Sequence, residues 1–405
     1  MSAYLSEFRT SWRPLLAATI GVGSGMSIVG HVVSAIAPSL IDDAGWNKAD
    51  FAAIGGLGFV SSLAFPFIGR LADVLGVRLT ALIGQVTLPL AYLAYSMFGQ
   101  DIGNYIAIFI VQSIVCVTTT ATVYTRLAVQ YFTQARGLAL AIVVSGSAVV
   151  GAIGGPVLNE FVEDNGWRAS YQALAIFAAI AGAITFLLIP SGAGKNMATR
   201  TRRKASKDYP LILRSVSFWM LAGSMLLCNL PQVIMLTQLK VLILENGVTG
   251  RGAAIMFTAL SLGMLVGRFV TGVALDRFEP YVVAFVTLGL PSLGLYIIAT
   301  DLDAPTILTA AVFFLGFAFG AEGDLVAFLV AKRFGVEIYS SVMGLLTAII
   351  SGSASAGALL LSYTLDRTGN FNLFLNITGT TVLAGAAMLL LLRRFEPEKE
   401  TVAAG

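Results

Sequence analysis

From residue 14 onward, long apolar runs alternate with short polar turns along the whole chain. A bilayer core is about 30 Å thick and a helix crosses it in about 20 residues. Twelve runs meet or approach that length: 14–41, 50–72, 79–98, 102–126, 136–162, 168–190, 213–240, 251–275, 281–299, 304–331, 338–364 and 370–392. The first follows a polar start, Met1 to Arg13, and is long enough to span, so it is expected to remain a helix of the mature protein rather than a cleaved leader. The pattern predicts an all-α membrane protein with 12 transmembrane helices.

The pattern also repeats. The fifth run contains SGSAVVGA from Ser145 and the eleventh SGSASAGA from Ser351, an offset of 206 residues. The turn after the second run, Gly69 to Arg78 (GRLADVLGVR), is echoed after the eighth by Gly272 to Arg277 (GVALDR), and aligning Asp73 with Asp276 gives 203. Two echoes at nearly one offset, each six spans apart, indicate an internal duplication. The longest polar interruption, Ser191 to Tyr209, falls at mid-chain. We therefore expect an N-terminal six-helix bundle (1–190), a cytoplasmic linker (191–212) and a C-terminal six-helix bundle with a short tail (213–405).

Composition fits a membrane interior better than water. Hydrophobic residues make up 57% and charged residues 12%, against about 25% charged in a soluble domain. Of the 25 Lys and Arg, 19 fall on one side of the membrane if both termini are cytoplasmic, five fall on the other, and Arg268 lies inside a span. That bias orients the chain with its termini inside. The basic cluster of the linker is read as part of this bias, with no nucleic-acid partner expected. Cys116 and Cys228 both lie in apolar runs, so neither a disulfide framework nor a metal site is expected. One histidine, with no P-loop, HExxH or GxSxG motif, leaves no basis for an enzyme or a cofactor.

The GRLADVLGVR turn with its shorter copy resembles the signature of the major facilitator superfamily, over essentially the whole chain. Gly151, Gly154, Gly155 and Pro156 resemble the pattern of that superfamily's fifth helix. The resemblance implies the major facilitator fold, two pseudo-symmetric six-helix bundles. It also implies a cytoplasmic gate, here Asp73 and Arg78 with Asp276 and Arg277, in which the acid caps a helix end and pairs with basic residues. The plainer alternative is a positive-inside turn with a polar cap.

Within the superfamily, Gly45 to Ala49, Tyr131-Phe132 with Arg136 to Ala139, and Lys332 to Gly335 with Tyr339 resemble the monocarboxylate transporters and their bacterial oxalate/formate-antiporter relatives. This implies a substrate-pairing role for Arg268. That family's aspartate one turn earlier is here Met264. Where proton-antiporting drug exporters carry an arginine in the fourth helix, this chain has Gln112.

Charges near mid-membrane are costly and usually functional. Arg268 in the eighth span suits a carboxylate, because its planar fork can bind one bidentately. Asp324 or Glu322 in the tenth span would be its partner in the empty carrier or the proton-coupling group. Two residues apart on a helix point in different directions, so only one is expected to face the cavity, with Asp324 slightly favoured. A permanent Arg–Asp brace is the alternative. Asn229 and Gln232 flank Pro231 in the seventh span, whose kink would expose backbone to a substrate. Thr119 and Tyr124 give the fourth span a hydroxyl face. His31 is either a proton relay or a packing residue.

The expected function is a secondary transporter moving a small organic anion by alternating access, with a proton as candidate co-substrate, acting as a monomer in a bacterial cytoplasmic (inner) membrane. An exporter of hydrophobic compounds is the runner-up. A non-transporting receptor would need a soluble domain or long tail that this sequence does not show.

Overall fold

The computed structural model describes residues 2–46, 59–191, 205–239, 242, 251–300 and 304–395. The helices in chain order are α1 (Ser2–Thr10), α2 (Trp12–Ser24), α3 (Val29–Ala44), α4 (Phe59–Leu75), α5 (Val77–Phe98), α6 (Ile102–Val115), α7 (Ala121–Tyr131), α8 (Arg136–Leu188), α9 (Ala205–Arg214), α10 (Val216–Asn229), α11 (Arg251–Arg277), α12 (Pro280–Ile298), α13 (Pro305–Phe334), α14 (Tyr339–Thr368) and α15 (Asn372–Leu391). Among the described residues, 10 helical stretches are long and apolar enough to cross a bilayer, or 11 if the bent pair α9–α10 counts as one. The expected second span is described from Phe59 on as the 17-residue α4. Its earlier part, Asn47 to Ala49 before it and residues 192–204 of the expected linker lie outside the described residues.

Large apolar side chains point outward along these helices; Phe67, Leu187 and Leu359 are each at least 75% exposed. A water-facing protein would carry such patches only at an interface. On hydrocarbon they are the matching surface.

Three expected spans contain breaks. The first, read as continuous, divides at Gly25 into α2, a 3-10 turn at Met26–Ile28 and α3. The fourth divides into α6, a 3-10 turn at Cys116–Thr119 and α7, with Thr120 extended. Here the hydroxyls of Thr118, Thr119 and Thr120 donate to the carbonyls of Val115, Cys116 and Val117 at 2.7–2.8 Å, which competes with α-helical bonding. Lipid cannot satisfy freed backbone groups, and the two breaks help to satisfy each other: Met26 N–H donates to Thr119 Oγ1 at 3.0 Å. The seventh span stops at Asn229, turns at Leu230-Pro231 and continues through a π-helical stretch, Ile234–Gln238. The linker's C-terminal part is helical as α9, bent 68° from α10. The fifth and sixth spans join within α8, where Gly166 takes φ 77°, a conformation costly for any residue with a Cβ.

By contacts the chain forms two compact units. Unit 1 comprises Met1–Ala135, Ile142–Ala205 and Val336–Leu345; unit 2 comprises Arg136–Ala141, Ser206–Gly335 and Leu346–Gly405. The core of unit 1 includes four buried tyrosines: Tyr95 stacks on Tyr171 at 5.0 Å, Tyr105 and Tyr171 share a hydroxyl hydrogen bond of 3.1 Å, and Tyr92 packs beside them. The main core of unit 2 is aliphatic and phenylalanine-lined, around Leu260, Leu295, Leu315 and Phe374.

Candidate functional site

In unit 2, α11 and α13 meet backbone to backbone. A Cβ on Gly267 would collide with the Phe317 carbonyl, and one on Gly320 with the Met264 carbonyl. Small residues permit such an approach inside a membrane. It brings Arg268 across α13, where its Nε donates to the Gly320 carbonyl at 3.1 Å and lies 3.6 Å from Asp324 Oδ2. The Asp324 side chain is fully enclosed while that of Arg268 is 17% exposed. Among the described residues neither Asp324 oxygen accepts a hydrogen bond, so its tie to Arg268 there is one of charge.

Glu322 turns the other way. One of its oxygens accepts from Asn229 Nδ2 at 2.6 Å, and the same amide donates to the Met225 carbonyl at 2.8 Å. The helix break therefore leaves Asn229, the last residue of α10, buried and fixed against a carboxylate. Gln232 is half-buried just beyond that break.

In unit 1, Thr119 and Tyr124 lie deep in the interior, 2% and 0% exposed. The Tyr124 hydroxyl accepts from Gln85 Nε2 at 2.7 Å. Together with Ser24 and Gln85 they line a cavity of about 10 Å³, near the minimum for a single water. His31 is exposed on α3, its ring lying against Gly151 of α8, where an added Cβ would come within 3.1 Å of Nε2.

The two acids of the repeated turn each cap a helix start. Asp73 accepts from the backbone N–H of Ser340 at 3.1 Å and of Ser341 at 2.6 Å, at the beginning of α14. Its charge is met by Arg126, and both side chains are 2% exposed. Asp276 accepts from the N–H of Gly137 at 2.6 Å and of Leu138 at 3.1 Å, at the beginning of α8. Of the two arginines expected beside them, Arg78 stacks over the Phe186 ring at 4.3 Å and Arg277 is exposed.

The sequence pattern of the Major Facilitator Superfamily matches residues 15–347 and, again, 230–405. The chain belongs to the Major Facilitator Superfamily. This superfamily member is 25% identical over 379 residues to human monocarboxylate transporter 11, covering 89% of this chain and 78% of that one. It is 24% identical over 360 residues to the agnestins efflux protein AgnL12 of Paecilomyces divaricatus, covering 86% and 78%. The solved structure of the human organic anion transporter MFSD10 superposes with a TM-score of 0.75 at 14% identity, covering 94% of this chain and 99% of the other, a likeness of fold. The protein is accordingly a multi-pass membrane transporter of the major facilitator type, with 12 helices in two bundles of six.

Sequence reading passed over three residues that the structure brings into polar clusters. Arg126, in sequence one of the many cytoplasmic-side cations, meets Asp73. Gln85 falls within an otherwise apolar span, which was the signal for it. Glu7, on the short helix α1, accepts hydrogen bonds from the N–H groups of Thr133, Gln134 and Ala135 at 3.0–3.3 Å and from the Thr133 hydroxyl at 2.7 Å. No local motif marks it, since its partners lie 126 to 128 residues away.

Proposed function

We propose that this facilitator is a secondary carrier of a small organic anion, a monocarboxylate in the first instance, which it moves by alternating access together with a proton. Arg268 holds the substrate carboxylate, and Asp324 holds Arg268 while the carrier is empty. The observation that carries the reading is the incomplete commitment of Arg268: one N–H is taken by Gly320, the acid lies beyond hydrogen-bond length, and part of the side chain is exposed. A guanidinium in that state keeps donors for a bidentate carboxylate. Relatives named as monocarboxylate transporters support the same substrate class.

Asp73 and Asp276 act in this proposal as gate residues, each releasing a helix start as the carrier cycles. Asn229 and Gln232 at the α10 break are candidate substrate contacts. His31, Thr119 and Tyr124 are further candidates from unit 1, with Thr119 also bonding the Met26 N–H where the two helices break. The cytoplasmic termini remain part of the proposal, supported by the distribution of Lys and Arg; a bacterial inner membrane remains part of it as well.

The test is uptake of labelled mono- and dicarboxylates into proteoliposomes by wild type and Arg268→Lys. A lysine keeps the charge but loses the planar fork, so we expect at least a tenfold fall in kcat/KM, the equivalent of about 1.4 kcal/mol. Unchanged uptake would overturn the assignment. The efflux relative supports export of hydrophobic compounds as the second reading; accumulation of such compounds in inverted vesicles, with no carboxylate transport, would establish it instead.

A further inference from the structure

The two acids of α13 stand in different electrostatic situations. Asp324 is enclosed and sits beside a cation, so the Arg268–Asp324 pair is neutral as it stands. Glu322 has no cation within ion-pair distance among the described residues; its hydrogen-bond partner is the neutral amide of Asn229. It is half-buried rather than sealed. The neighbouring titratable group on α10 is Cys228, whose thiol is turned to the Val382 carbonyl at 3.6 Å. From α11 the charged residue is Arg268, already beside Asp324. Helices α12 and α15 carry no Asp, Glu, Lys, Arg or His within their bounds, and α14 carries none before Asp366.

A carboxylate inside a membrane protein that no cation compensates relieves its cost by taking up a proton. We infer that Glu322, and not Asp324, is the residue that loads and releases the transported proton. The proton passes from water to a Glu322 carboxylate oxygen and returns to water on release; no other bond changes. Asn229 fits both states, because its N–H donates to the carbonyl oxygen of the neutral acid as well as to the carboxylate. What changes is strength: a charge-assisted bond is roughly twice as strong as a neutral one. Loading Glu322 therefore loosens the tie between α13 and the last residue of α10, at the point where that span is broken. The inference rests on the carrier reading above but not on the identity of the anion.

The experiment is infrared difference spectroscopy of the full chain in lipid, titrated between about pH 5 and pH 9, above the range where exposed carboxylates titrate. Wild type is expected to show a protonated-carboxyl C=O band that disappears as pH rises. The band should be lost in Glu322→Gln and kept in Asp324→Asn. Asn229→Ala, which keeps the acid and removes its donor, should retain the band and move it to higher frequency; this covers the case in which the Gln variant does not fold. Absence of the band from wild type, its survival in Glu322→Gln, or an unchanged band in Asn229→Ala overturns the inference. The readout needs no substrate, so failure of carboxylate uptake would sink the anion reading without touching this one.

Discussion

Arg126 in the middle of α7 and Arg333 in the last turn of α13 are both buried arginines, and each unit uses its own differently. Both are 1% exposed. Arg126 meets the carboxylate of Asp73 and donates to the Ser340 hydroxyl at 3.2 Å. Arg333 donates to the carbonyls of Leu392 and Phe395 and lies 5.0 Å over the Tyr281 ring. It thereby neutralises the carbonyl end of α15, as a cation at a helix C-terminus does. One arginine meets an acid and the other meets backbone carbonyls. A buried arginine is thus not by itself a gate residue; the acid it meets makes it a candidate for one.

The comparison predicts unequal losses on the same substitution. Arg126→Met leaves a buried carboxylate without its cation, which typically costs about 3–5 kcal/mol. Arg333→Met strands two carbonyls, one of them at an exposed residue, for about 1–3 kcal/mol. Thermal unfolding in one detergent should therefore place Arg126→Met well below Arg333→Met. The double variant Arg126→Met with Asp73→Asn should recover part of the loss, because the unpaired charge is gone. Equal losses for the two single variants would mean that the Asp73 partnership contributes no more than a helix cap.

Glu7 sharpens the comparison from outside the spans, since it is a carboxylate bonded to a chain turn with no cation in ion-pair distance among the described residues. Burial raises its pKa, and the bonds from Thr133, Ala135 and Gln134 outweigh that and hold it below 4.5. A depressed acid contributes stability that is fully present above its unfolded pKa and is lost as pH falls through the folded value. Glu7→Gln is expected to cost about 1 kcal/mol at pH 7, a modest figure because the site is largely exposed. The gap to wild type should close as pH drops below about 4.5. Melting curves across that range check it; a gap that persists in acid would point to packing of Phe8 on Phe132, 5.2 Å apart, rather than to the carboxylate.

How much of this was legible beforehand depends on the range of the interaction. The spans were readable because burial in lipid is written residue by residue in hydropathy. The echo of Asp73 in Asp276 was readable because duplication preserves local order. The separation of Glu322 from Asp324 followed from helical geometry, yet the partner of Glu322 did not: Asn229 is 93 positions away. The breaks at Gly25 and Thr119 were hidden for another reason. Hydropathy measures what a run dissolves in and is blind to whether its backbone stays helical. Only the run of three threonines beside a glycine-rich first span hinted that two helices would open where they meet.

The smallest effect is expected at the clasp of unit 1 near Asp43. Its carboxylate accepts from Trp167 Nε1 at 2.9 Å and from Arg168 Nη1 at 2.7 Å, while Arg168 also donates to Gln100 and lies 4.2 Å over the Trp167 ring. The Trp167 bond, then Arg168, hold the Asp43 pKa below 3.8. Yet both partners of the ion pair are more than 40% exposed, in contrast to the enclosed Asp73–Arg126 pair, and exposed pairs are strongly screened. Asp43→Asn keeps an acceptor for the indole and loses only the charge. Its melting point should therefore fall slightly at low ionic strength and coincide with wild type near 1 M salt, where the screening length is about 3 Å. For Arg126→Met the deficit should survive the same salt, because water and ions do not reach that pair. If salt erased both deficits, burial would not be what separates the two pairs, and the contrast between gate and clasp would have to rest on geometry alone.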